Sequence, residues 1–149
     1  MIFALETWDQ FYEEGLVLLA RHMEETKLHD EVSVNMDMGL YKTLWASGQL
    51  LLLTARDKEQ MVGYFIIQIA QHNRSKTTLI AQEEGLYLAP EYRKGRNGMR
   101  LVQLGIEAAK AVGAEMMFCS SLVERPIGGL LQRLGFRKNA EVFMMKFGE

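Results

Sequence analysis

Residues 85–109, "GLYLAPEYRKGRNGMRLVQLGIEAA", decide how the rest of the chain is read. A β-prone apolar run from Gly85 to Ala89 stops at Pro90. Arg93, Lys94, Arg96 and Arg100 then crowd a turn that also holds Gly95 and Gly98. Beyond it, Leu101, Leu104, Gly105, Ala108, Ala109 and Val112 fall on one helical face, with Arg100, Gln103, Glu107 and Lys110 on the other. The first amides of a helix have no internal partners and carry the positive end of its dipole, so this arrangement is an anion site. The glycines let a ligand approach the backbone and the cations add charge, so a pyrophosphate is the natural occupant. A dinucleotide-binding turn would need an earlier glycine and a parallel start. The P-loop signature G-x-x-x-x-G-K-[ST] is absent. The plain alternative is a solvated basic turn whose glycines serve geometry alone.

Working outward, "QLLLLTAR", "QMVGYFIIQIA" and "KTTLIAQEEGLYLA" are β-rich runs separated by "DKEQ" and "QHNRS", the pattern of an antiparallel meander. Upstream, "IFAL" reads as a first strand. Thr7 caps a helix with a stripe of Trp8, Phe11, Tyr12, Leu16, Leu19 and Met23, and "DMGLYKTLWAS" is a second helix ending at Gly48. Downstream, "EMMFCSS" reads as a buried strand, "RPIGGLLQRLGF" as a helix and "EVFMMKF" as a last strand, with Met116, Met117, Met144 and Met145 as core. The crossover through the helix after the basic turn sets "GLYLA" and "MMFCSS" parallel. The class is α/β (α+β): one domain over residues 1–149, with a mixed, mostly antiparallel twisted sheet flanked by helices.

Composition narrows the function. The 149 residues are 48% hydrophobic and 24% charged with a net charge of -2, ordinary for a folded domain. The basic turn is therefore local, and nucleic acid is not an expected partner: Tyr92 alone beside the arginines is thin support for a nucleic-acid module. The single cysteine, Cys119, excludes an internal disulfide and reads as core. Ser120 and Ser121 lack a nucleophile elbow. His22 and His29 with Glu24 and Glu25 lack ligand spacing, so no metal is expected. Nothing resembles a signal peptide or membrane span, which makes the cytoplasm the expected location.

The quoted stretch, followed by "LLQRLGF" at 130–136, resembles the GNAT superfamily of acyl-CoA-dependent N-acyltransferases. That family shows an apolar strand, "P-E-Y-R", the loop (Q/R)-x-x-G-x-(G/A), a helix and a later "L-x-x-x-G-F". The likeness covers about two thirds of the chain, from residue 49 to the end. The small size and altered loop are similar to acetyltransferases encoded by bacteriophages. Arg93 takes the first loop position and Gly98 the last. The fourth, usually glycine, is Arg96, with Gly95 one residue earlier able to take over its conformational role. The resemblance implies acetyl-CoA as co-substrate, held by Arg93, Lys94, Gly95, Arg96, Asn97, Gly98 and Met99. It also implies that the backbone of Leu86, Tyr87 and Leu88 pairs with the pantetheine arm.

The implied chemistry is acetyl transfer to a primary amine by direct attack in a ternary complex, with a carboxylate taking the amine proton. "QEEGLYL" offers Glu83 and Glu84. Strict alternation puts Gln82, Glu84, Leu86 and Leu88 on one side and Glu83 and Tyr87 on the other, and Glu84 is the expected base. Solvated glutamates beside a bulge at Gly85 are the plain alternative. The tyrosine with which many members protonate the leaving thiolate is replaced by Leu131. That leaves Tyr87 or Tyr92 as substitute acids, or a CoA-binding protein without turnover. The acceptor is a small-molecule or protein amine. The acidic stretch "EETKLHDEVSVNMD" suits a cationic one and is equally an ordinary loop. Dimers are common in the family.

Overall fold

β1 (Ile2–Glu6) leads into α1 (Trp8–Glu25), whose start is fixed by a capping box. The Thr7 hydroxyl accepts the Gln10 N–H at 3.2 Å, and Gln10 Oε1 accepts the Thr7 N–H at 2.8 Å. Asp37 caps α2 (Met38–Ala46) in the same way, accepting the Leu40 N–H at 3.0 Å. The meander follows as β2 (Leu50–Asp57), β3 (Gln60–Gln71) and β4 (Leu79–Leu88), then α3 (Asn97–Ala111), β5 (Ala114–Phe118) and α4 (Gly128–Arg133). The structure, a computed structural model, describes residues 1–148, and the side chain of His29 also lies outside the description.

The sheet runs β1-β2-β3-β4-β5, antiparallel throughout except for the parallel β4–β5 pair. Period-2 alternation in β2 and β3 feeds two cores. Leu50, Leu52, Tyr64 and Ile66 meet Trp8, Phe11, Leu18 and Leu19 of α1 on one face. Leu51, Leu53, Phe65 and Ile67 meet Leu101, Val102 and Ala109 of α3 and Leu131 of α4 on the other. Gly105 makes the second contact close: a Cβ there would stand 2.6 Å from the Phe65 ring and 2.9 Å from Ile67. α3 is thus pressed onto the sheet behind the basic turn, which fixes where its N-terminus points.

Several expectations change. Segment 141–147 forms no strand, and Val142 and Phe143 are 92% and 87% exposed. Met144 and Met145 are exposed rather than core. β5 is an edge strand with Met116 and Phe118 open to solvent, because no further strand covers it among the described residues; Ala114 and Met117 pack inward. Leu18 replaces Tyr12 on the buried stripe of α1. α4 is one and a half turns, starting two residues after Pro126.

Candidate active site

β4 and β5 part company early. They pair from Leu79↔Ala114 to Gln82↔Phe118, whereas β3 stays paired with β4 as far as Leu88. The parallel contact therefore belongs to residues 79–82 and not to "GLYLA". From residue 83 onward, β4 has a strand neighbour on one side only, and a fork opens between it and the chain leaving β5. At the vertex sits a bulge: Ile66 faces Gly85 and Ile67 faces Glu83, so Glu84 is the extra residue.

The bulge breaks the strict alternation expected from the sequence. Glu84 points toward α2, where the Tyr41 hydroxyl donates to Oε1 at 2.6 Å. Leu86 and Leu88 instead join the core under α3. Partial desolvation raises the pKa of Glu84, though the residue stays exposed, and the Tyr41 hydrogen bond opposes that rise. Glu83 lies opposite Ile67, hence on the α3 side, near Cys119. The Ser120 amide lies near its carboxyl, and its Oε2 is buried without a partner among the described residues. Burial pushes Glu83 up to about 7, with the charge of Glu84 adding to the rise and the Ser120 amide opposing it. The same burial pushes the Cys119 thiol up to about 12, consistent with packing and not nucleophilic use.

At the open end of the fork stands the head of α3. Its first helical hydrogen bond runs from Arg100 N–H to Arg96 O at 2.9 Å. The amides of Asn97, Gly98 and Met99 precede it and find no acceptor among the described residues. Gly95 has φ +77°, so the left-handed residue of the turn is Gly95; Arg96, at φ -104°, needs no glycine. Lys94 and Arg96 are exposed, and the Asn97 side chain donates to Tyr92 O at 3.1 Å, holding the turn. A groove of about 430 Å³ starts at Arg96 and Met99 and runs along α3 past Leu104 to Leu134.

Arg93 is placed differently from its neighbours. Its Nε donates to Leu88 O at 2.7 Å, and its guanidinium lies 5.5 Å from the Tyr87 ring centre. Glu25 Oε2, at the end of α1, takes Arg93 at 2.7 Å and Arg125 at 2.8 Å, and these contacts hold its pKa below the usual range against the opposing effect of burial. Tyr87 is buried in a stack with His22 and Tyr64 on the α1 side, away from the α3 face. Tyr92 donates to Asp57 at 2.8 Å. Tyr87 thus lies on the α1 side of the sheet, and the Tyr92 hydroxyl is bonded to a carboxylate of β2. Leu131 is 6% exposed in the core under α3. Alternation sets Glu83 and Glu84 on opposite sides and Gly85 carries the signal of the bulge, whereas the contacts that Tyr41, Glu25 and Arg125 make across the fold have no local signal in the sequence. Among the described residues, no group of three or more His, Cys, Asp or Glu side chains could hold a metal ion.

The model of the acetyltransferase (GNAT) family matches residues 8–136. No protein of curated description matches the sequence. Solved structures share the fold at low identity. A point mutant of the BH1408 protein from Bacillus halodurans aligns over 99% of both chains at 18% identity, with a TM-score of 0.78. An aminoglycoside acetyltransferase, HMB0005, from an uncultured soil metagenomic sample aligns over 99% of this chain and 100% of its own, at 18% identity and a TM-score of 0.75. A protein of Clostridium acetobutylicum described as a predicted acetyltransferase, solved with acetyl-CoA, aligns over 97% of this chain and 95% of its own, at 11% identity and a TM-score of 0.74.

Proposed function

The chain belongs to the acetyltransferase (GNAT) family, and from that premise we propose that it carries an acetyl group from acetyl-CoA to a primary amine within a ternary complex. The observation that carries this reading is the fork: a one-sided strand edge at residues 83–88 that ends beside three helix amides without acceptors. The residues fit the co-substrate. The Asn97, Gly98 and Met99 amides, with Lys94 and Arg96, would hold the pyrophosphate, while Gly95 shapes the turn. The free edge of Leu86–Leu88 would bind the arm as an added strand; Leu88 O is already capped by Arg93, so the pairing would rest on the remaining edge groups. Acetyl-CoA supplies the activated acyl group.

The protein's own part is to bind, orient and move protons. Glu84 faces the α2 side, positioned by Tyr41, and takes the proton from the incoming amine. A carboxylate with a raised pKa serves better as a base near neutrality than an ordinary glutamate. Among the described residues no helix is long and apolar enough to cross a membrane, and we assign the reaction to the cytoplasm.

The test pairs binding with turnover. Acetyl-CoA and CoA raise the melting temperature well above NAD and ATP at matched ionic strength; saturation at a hundredfold excess over Kd contributes about 2.7 kcal/mol. Thiol release is then read over kanamycin, spermidine and lysine amide. Equal shifts from all four nucleotides overturn the acyltransferase reading. Tight acetyl-CoA binding without release from any amine favours a CoA-binding protein without turnover, a reading that Leu131 at the usual tyrosine position supports.

A further inference from the structure

The two adjacent glutamates of β4 face opposite sides of the sheet, and only one has a place in the chemistry above. Glu83 is the first residue beyond the last β4–β5 pair, Gln82↔Phe118. Its carboxyl lies near the Ser120 amide just beyond the end of β5, and its Oε2 is buried with no partner among the described residues. An unpaired buried oxygen at a strand junction carries a cost that apolar packing would avoid, and a protonated carboxyl lowers that cost. An arm anchored at the head of α3 and laid along Leu88 to Leu86 would run toward that vertex and would bring its sulfur end toward Glu83. Leu131, where related acyltransferases commonly carry a tyrosine, sits in the core on the same side of the sheet.

We propose that Glu83 is the acid that protonates the departing CoA sulfur. The proposal rests on the acyltransferase reading and assigns the step that reading leaves without a residue. As the bond from the amine nitrogen to the acyl carbon forms, the bond from that carbon to sulfur breaks. The sulfur keeps the electron pair and takes the proton from the Glu83 carboxyl, leaving a carboxylate and free CoA thiol. The amine's own proton goes to Glu84 on the opposite face. Glu84 then loses a proton to solvent, and Glu83 regains one. The direction is favourable: Glu83, at about 7, is a stronger acid than a thiol at ~8.5. The titratable groups around it are Glu84, whose charge keeps Glu83 protonated, and Cys119, which stays a thiol. Ser120 contributes only its amide.

The experiment reads the bound thiol itself and needs no acceptor. CoA is held by excess protein and alkylated with iodoacetamide from pH 6.5 to 9, with S-alkylated CoA counted by mass spectrometry so that Cys119 does not interfere. Above its own pKa, Glu83 is a carboxylate against the sulfur and raises the thiol pKa, slowing alkylation about tenfold at pH 8 for each pH unit of displacement. Glu83→Gln keeps the shape and an acceptor for Ser120, and should bring the midpoint back toward that of free CoA. With an active amine in hand, kcat of the wild type falls as pH rises through about 7, and Glu83→Gln lacks that limb. Identical alkylation profiles for bound CoA in both proteins overturn the assignment and leave the acyltransferase intact. Alkylation equal to free CoA in both, with no binding by calorimetry, overturns the acyltransferase reading and this step with it.

Discussion

Glu83 and Glu84 face opposite sides of the sheet, as neighbours on a strand do, and the extra residue opposite Ile66 and Ile67 moves Leu86 and Leu88 away from the Glu84 side. The Glu83 pKa stands above its unfolded value, so the native state holds more protons than the unfolded chain between 4.5 and about 7. Stability from this site is fullest below 4.5 and declines as pH rises to about 7. Glu83→Gln should therefore match wild type near pH 4 and exceed it at pH 8 by up to about 3 kcal/mol, measured by urea unfolding at both values. A gap that does not widen with pH would mean the carboxyl is not buried as described. The basic turn yields a second comparison. Gly95→Ala places a Cβ at φ +77° and should cost about 1 kcal/mol, while Arg96→Ala, at φ -104°, should cost less than about 0.5 in the same assay.

Among the elements, α3 depends most on a single small residue. Gly105→Ala would drive a methyl into Phe65 and Ile67, and overpacking of this kind costs about 1–3 kcal/mol. The helix would tilt away from the sheet, so CoA affinity should fall with stability; calorimetry of the folded variant separates the two. The elements themselves were largely legible. Thr7 with Gln10, Asp37 before α2 and the alternation of β2 and β3 are local signals, and the local chain obeys them. Facing partners were less legible. "EMMFCSS" reads as a buried strand because its residues are apolar, yet burial needs a neighbour beyond β5, and none forms among the described residues. The side on which Leu86 and Leu88 emerge depended on a register shift that no single strand encodes. Arg93 reads as a phosphate ligand from its place in the loop, but its partner Glu25 lies 68 residues away in α1, beyond any local pattern.

For the whole molecule, "EVFMMKF" is apolar chain of which Val142, Phe143, Met144, Met145 and Phe147 stay exposed, while Lys146 donates to the Asp30 carbonyl at 3.4 Å. Exposed apolar chain outside secondary structure is where proteases cut first. Brief trypsin treatment should cleave after Arg137 and Lys138 before any site between residues 50 and 111, as read by intact mass. Early cuts inside the meander would contradict the fold. The fork has a consequence for exchange with deuterated water. The amides of Asn97, Gly98 and Met99 hold their hydrogens by no internal acceptor, so they should exchange at nearly the rate of an unstructured peptide while Leu101 and Val102, one turn on, stay protected. Saturating CoA would transfer those amides to the slow class and leave the far end of α3 unchanged. These exchange-labile helical hydrogens thus form a fingerprint by which occupancy of the site can be read without any turnover.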